Sequence, residues 1–211
     1  CESELRFKPL SFCSPHTTLM AEEHQPKRSK TSEGSLSTPT ALSDFGWQYD
    51  PSLTADENFL DLTLLTMRNS RCRGGHMGAL AVRQGEVLDR AINCSLFSEG
   101  VSDIHAEVAL LANCARKGIA TQGLTVYITM PPCKRCFTLL VPAGVARIVT
   151  RLPCKDENIL AVCKRLAIEF VVVPDSPARR AKLDELFACH NRHGVPATSD
   201  KSCEAVADCA P

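Results

Sequence analysis

Two short patterns separated by a fixed stretch of chain constrain this sequence more than anything else in it. The first is His105-Ala106-Glu107; the second is Pro132-Cys133-Lys134-Arg135-Cys136. One imidazole nitrogen and two thiolates form a donor set suited to zinc, and three protein ligands leave one tetrahedral position for water. An open position marks a catalytic rather than a structural metal. Glu107 stands two residues after the histidine, able to handle a proton of that water without itself being a ligand. Any fold of this chain must therefore bring residue 105 against residues 133 and 136.

The segments around the patterns predict how. Thr54-Ala55-Asp56-Glu57 reads as a capping box, and Phe59, Leu60, Leu64, Met67 and Ser70 follow at helical spacing, so a helix is expected over residues 55–70. Residues 77–82 and 86–93 flank Arg83-Gln84-Gly85 and read as a hairpin. Residues 94–104 form a loop, with Asp103 as the expected cap of a helix that starts near His105 and stops at Gly118. Residues 124–130 (LTVYITM) form a nearly continuous β-favouring run, the mark of a strand buried on both faces. A helix over residues 133–143 then places both cysteines at a helix N-terminus, where thiolate is favoured. Strands are expected over 146–150 and 169–173, with a helix over 156–167 between them. A helical crossover makes those last strands parallel neighbours. A final helix opens at Ser176-Pro177, and Arg179, Arg180 and Lys182 are expected on its solvated face.

The His-x-Glu and Pro-Cys-x-x-Cys pair resembles the zinc-dependent nucleoside and nucleotide deaminases. The resemblance implies a three-layer α/β/α cytidine-deaminase-like fold, with a five-stranded mixed sheet whose last two strands are parallel. It implies zinc held by His105, Cys133 and Cys136, with Glu107 as the catalytic proton carrier. It also implies substrate contacts at Asn93, whose family counterpart bonds the sugar, and at Ala106 and Pro132 beside the ligands. The free-cytidine branch of the superfamily has antiparallel final strands and a Cys-Ala-Glu pattern. His-Ala-Glu and the helical crossover place this chain instead with the deoxycytidylate, tRNA-editing and polynucleotide deaminases.

Three functions compete within that branch. A deoxycytidylate-type deaminase acting on a cytosine nucleotide fits the Pro-Cys-x-x-Cys-Phe137 run and the Ala143-Gly144-Val145 ending, although Ala109 stands where those enzymes usually have asparagine. A tRNA adenosine-to-inosine deaminase fits the Gly78 strand and Asn93, although Pro131 replaces a common glutamate. A non-catalytic deaminase-like subunit ordinarily lacks the glutamate that this chain keeps at 107. The resemblance also suggests a homo-oligomer.

Composition narrows the setting. The 211 residues carry a formal net charge of zero, which disfavours whole-surface nucleic-acid binding but leaves room for a local basic patch. No apolar run approaches the roughly 20 residues of a membrane span, and residues 1–20 lack the apolar core of a secretory signal. Twelve cysteines, several inside apolar periodic segments, are expected to be reduced thiols of an intracellular protein, cytoplasmic or nuclear. Residues 1–46 are expected to be a disordered tail, with Met20 as a candidate initiator and Lys27-Arg28-Ser29-Lys30 as a solvated charge run. The domain spans 47–193, and residues 194–211 form a flexible tail. Cys189, His190 and His193 resemble a second metal cluster only loosely, because their spacing matches no regular site.

Overall fold

The computed structural model describes residues 41–190. The expectations placed on residues 1–40, among them Met20 and the run from Lys27 to Lys30, lie outside the described residues. So do those on 191–211, including His193.

Ten elements follow one another: α1 (Ala55–Met67), β1 (Gly78–Arg83), β2 (Glu86–Ile92), α2 (Ala106–Lys117), β3 (Thr125–Ile128), α3 (Lys134–Leu140), β4 (Arg147–Thr150), α4 (Glu157–Arg165), β5 (Glu169–Val172) and α5 (Pro177–Ala188). The strands form one sheet in the order β2-β1-β3-β4-β5. β1 pairs antiparallel with β2 and with β3, while β3–β4 and β4–β5 are parallel. The mixed sheet and its parallel final pair are those the helical crossover required.

Strand alternation sorts side chains into two layers. Ala79 and Ala81 of β1, Val126 and Ile128 of β3, and Ile148 of β4 face one side, where they meet Ala106, Leu110 and Cys114 of α2, Phe137 and Leu140 of α3, and Ile159 and Cys163 of α4. The intervening Leu80, Val82, Tyr127 and Val149 face the other side, against Phe59, Leu60 and Leu62 of α1. The apolar period of 2 in the strands thus serves two helical layers with period near 3.6. Leu60, Leu80, Leu110, Leu140 and Ile148 are fully buried, each stabilising the fold by about 1.5–3 kcal/mol.

Local chemistry sets the element ends. Thr54 caps α1 through a capping box, with Thr54 N donating to Glu57 Oε2 at 2.9 Å and Glu57 N to Thr54 Oγ1 at 3.2 Å. The hairpin turns at Gln84 and Gly85, both at positive φ (50° and 81°), the backbone a two-residue turn needs to match strand twist. Gly78 is required by proximity: a Cβ there would stand 2.7 Å from Thr63 O and 2.9 Å from Met67 N, so α1 and β1 touch through bare backbone.

Several expectations change. Helix α1 stops at Met67 rather than reaching residue 70, and Ser70 turns inward instead of lying on a helical face. Asp103 does not cap α2; its carboxylate accepts from Leu96 N at 2.8 Å and Phe97 N at 3.0 Å and shapes the preceding loop. Arg179 is not solvated. It is buried against Asp61 of α1, its Nη2 2.5 Å from Asp61 Oδ1, and it also donates to Glu57 O and Pro174 O. Arg180 and Lys182 pair with Asp175 and Asp50. Ordered packing also begins before Trp47: Phe45 is buried against Leu64, Leu65 and Leu183, with its ring 5.5 Å from that of Phe187. One aromatic residue in a polar stretch carries no periodic signal, so composition alone set the boundary too late.

Candidate active site

β2, through the loop 94–104, and β3 each lead into a helix, and the three candidate metal ligands sit at the starts of those two helices. His105 is the N-cap of α2 and Cys133 the N-cap of α3, both in extended backbone conformations and neither spending its side chain on a capping bond. The helix expected to start near His105 begins one residue after it, which leaves His105 at the joint itself. Cys136 lies in the first turn of α3 and is buried. Both helix N-termini present partial positive charge to the space between them, which favours thiolate and carboxylate.

The donor atoms of His105, Cys133 and Cys136 lie within 4.8 Å of one another, the one such trio among the described residues. His105 Nδ1 is 3.7 Å from Cys133 Sγ and 3.4 Å from Cys136 Sγ. A tetrahedral zinc with bonds of about 2.0 Å to nitrogen and 2.3 Å to sulfur sets those atoms roughly 3.6 Å apart. The two distances bracket that figure, so the trio fits zinc. Cys136 forms the buried floor while His105 and Cys133 are exposed, so the site opens to solvent on their side.

Glu107, in the first turn of α2, is 6% exposed. Burial pushes its carboxyl above the ordinary carboxylate range, against smaller opposing pulls from its backbone, from His105 and from a hydrogen bond to Cys136. A carboxyl held at raised affinity beside a metal site suits a group that accepts and returns protons near neutral pH. Burial, and then the neighbouring Glu107, raises the Cys136 thiol as well; a bound cation reverses that preference, since zinc ligation requires the thiolate.

The remaining candidates divide. Ala106 and Pro132 adjoin the ligands and are buried. Asn93 is 1% exposed, and its amide is fully engaged within the protein. Its Oδ1 accepts from Ser70 Oγ at 2.7 Å and Met77 N at 2.9 Å; its Nδ2 donates to Gly75 O and Ser102 Oγ, each at 2.8 Å. Asn93 therefore ties the α1–β1 connection to the loop 94–104 that ends at His105. Ser70 and Ser102 complete this arrangement, and neither carried a signal in the sequence. His190 Nδ1 donates to Leu186 O at 2.8 Å, and its ring stacks edgewise on Phe45; it joins no metal-ligating group among the described residues.

Residues 53–152 match the family described as the cytidine and deoxycytidylate deaminase zinc-binding region. A deoxycytidylate deaminase of Mycobacterium phage D29 is 29% identical over 119 residues, covering 44% of this chain and 91% of the relative. A tRNA-specific adenosine deaminase of Buchnera aphidicola (subsp. Baizongia pistaciae, strain Bp) is 24% identical over 113 residues, covering 52% and 69%. The crystal structure of the dCMP deaminase of cyanophage S-TIM5 superposes with a TM-score of 0.51 at 21% identity, over 59% of this chain and all of that one. That likeness carries the fold, and the matched segment holds all three ligands and Glu107. The matched region spans the His105–Cys136 junction, and the matches together indicate a hydrolytic deaminase.

Proposed function

We propose that the protein deaminates a cytosine nucleotide of the dCMP type, giving the uracil nucleotide and ammonia. The observation that carries the reading is the buried carboxyl of Glu107 beside the open trio of His105, Cys133 and Cys136. The match to a phage deoxycytidylate deaminase across 91% of that relative's length supports the choice of base. Zinc held by the trio would supply a Lewis acid that lowers the pKa of water to about 7. Glu107 takes the proton released as the water oxygen adds to the amino-bearing ring carbon. It delivers that proton to the adjacent ring nitrogen, then takes the proton of the newly added hydroxyl and passes it to the departing amine as the carbonyl forms, so that water and cytosine become uracil and ammonia. A sugar contact by Asn93 would have its Nδ2 exchange Ser102 Oγ for a sugar hydroxyl, the other three bonds keeping the amide in place. The buried Ala106 and Pro132 would wall the base pocket beside His105 and Cys133.

A second reading, tRNA adenosine deamination, is favoured by the loop 94–104, where Leu96 is 62% and Phe97 84% exposed. An exposed aromatic beside the site suits stacking on an unpaired base. A non-catalytic subunit would have no use for a buried Glu107. A homo-oligomer and an intracellular location, cytoplasmic or nuclear, belong to the same proposal. Exposed Leu139 on α3 and Leu160 on α4 support the first; buried thiols used as core hydrophobes at Cys114 and Cys163 support the second.

The test is incubation of zinc-loaded protein with a pool of cytosine nucleotides and, separately, with bulk tRNA, both read by mass spectrometry. Conversion of dCMP or a related nucleotide is expected. Inosine in tRNA with the nucleotide pool untouched would replace the first reading by the second.

A further inference from the structure

The face of the sheet away from α2 and α3 carries a concavity of its own. There α1 and α5 border a cleft of about 150 Å³, with Arg151 and Asp175, which follow β4 and β5, on its rim. Its apolar wall is made by Leu64 and Met67 of α1 with Leu183 and Phe187 of α5. A cavity of that volume has room for a body about the size of benzene.

The charges around the cleft do not cancel. Four arginines line it, at 68, 151, 179 and 180, against three aspartates, at 61, 175 and 184. Arg179 and Asp61 are buried and satisfy each other. Asp175 is shared: its Oδ2 accepts from Arg151 Nη1 at 3.2 Å and from Arg180 Nη2 at 2.6 Å. Arg68 has no acidic partner among the described residues, and its guanidinium carbon lies 4.1 Å from the centre of the Phe187 ring. Asp184 is exposed and pairs with none of the four arginines.

Arg151 is only half used. Its Nε is buried with no acceptor, and its Nη2 makes no hydrogen bond among the described residues. A buried donor left unmet is costly. The Nε and Nη2 hydrogens form the side of a guanidinium that grips a carboxylate with two parallel bonds. The guanidinium therefore gains by turning that side toward an oxyanion offered from the cleft.

We propose that the cleft between α1 and α5 binds a small organic carboxylate, its charge taken by Arg151 and Arg68 and its apolar body laid against Leu64, Leu183 and Phe187. The excess of a single positive charge suits a monoanion. A phosphate dianion would bring a second charge into the neighbourhood of Asp175 and Asp184 with no cation left to match it. A neutral ligand would leave the Nε of Arg151 as it stands. The site draws on none of the residues at the starts of α2 and α3, so it stands whatever substrate the metal trio serves.

The test titrates benzoate into the methyl-labelled full chain and, separately, benzyl alcohol, which has a similar shape and no charge. The readout is the shift of the Leu64 and Leu183 methyl resonances. Benzoate is expected to shift them saturably and to bind about tenfold tighter than benzyl alcohol, a difference of about 1.4 kcal/mol. Arg151→Gln should remove most of that preference. Arg68→Gln should reduce it, and because Arg68 is exposed and pairs with no acid, this variant changes charge without disturbing the fold. Equal affinity for the two probes, shifts centred away from α1 and α5, or the absence of saturable shifts would overturn the assignment. So would equal losses for both probes in Arg68→Gln, or inorganic phosphate that binds the cleft more tightly than benzoate does.

Discussion

His105 and Cys136 stand 31 residues apart in the chain, yet Nδ1 and Sγ lie 3.4 Å from each other. Their contact joins the start of α2 to the first turn of α3, so a metal held there stabilises the junction of two helices as well as serving chemistry. Chelation should lower the melting temperature. At free zinc 100-fold above the dissociation constant the loss corresponds to about 2.7 kcal/mol. Thermal unfolding with and without chelator, alongside metal analysis, checks it; an unchanged melting point in protein shown to have lost zinc would argue that the junction holds by packing alone.

Glu107→Gln keeps the shape of a buried side chain and removes its proton chemistry. Zinc content and melting temperature should stay close to wild type while turnover of the deaminated substrate falls by about 10²–10⁴-fold. Full turnover in that variant would remove Glu107 from the mechanism.

Gly78→Ala should destabilise the protein without touching the site. Its Cβ would press on Thr63 O and Met67 N, backbone atoms that cannot swing away, at a cost of about 1–3 kcal/mol. Chemical denaturation gives the value directly, and a neutral result would mean that α1 can slide on β1.

Acid stability should depend on Asp56. Arg147 chiefly, opposed by partial burial and assisted by Tyr127, holds this carboxyl below its ordinary value, through guanidinium contacts of 2.7 and 2.6 Å and a phenol bond of 2.8 Å. A carboxylate with a depressed folded pKa contributes fully above its unfolded value of about 3.9, and the contribution fades as pH falls through the folded value. Wild type should therefore lose stability more steeply than Arg147→Met below about pH 4, with the two curves parallel above pH 5. Parallel curves throughout would show that the pair is not linked to folding.

Asn93→Ala should cost about 1–3 kcal/mol, because Ser70 Oγ and Met77 N lose a buried acceptor. If Asn93 also bonds the sugar, KM should rise beyond what the loosened loop explains, which Ser70→Ala, loosening the same framework without facing a ligand, calibrates. Equal KM values in the two variants would confine Asn93 to a structural role.

The grouping of His105, Cys133 and Cys136 was legible in the sequence because a shared ligand would impose residue type, order and spacing together. The sheet was legible because alternation and a helical crossover leave few topologies. Asn93 and Arg179 were harder. Asn93 shows its partners only once loops 71–76 and 94–104 are side by side. Arg179 looks like any helical arginine until Asp61, 118 residues away, is found beneath it. Periodicity reports which face of an element is apolar; it does not report which polar group a distant element will offer. Ser70 shows the same limit, since the helical register that includes it runs on past the point where the chain leaves the helix.

Phe45 has a practical consequence for where this chain can be cut. By composition the polar leader ends at Gly46, and a protein begun at Trp47 would look complete. Yet Ser43 N meets Asn69 Oδ1 and Asn69 Nδ2 meets Ser43 O, so the short segment before Trp47 is buttoned to the end of α1 while its ring plugs the gap between α1 and α5. Trimming it would expose Leu65 and Leu183 to water and leave a greasy socket on the face opposite the catalytic edge. Such a shortened protein would keep every ligand and still be prone to stick to itself.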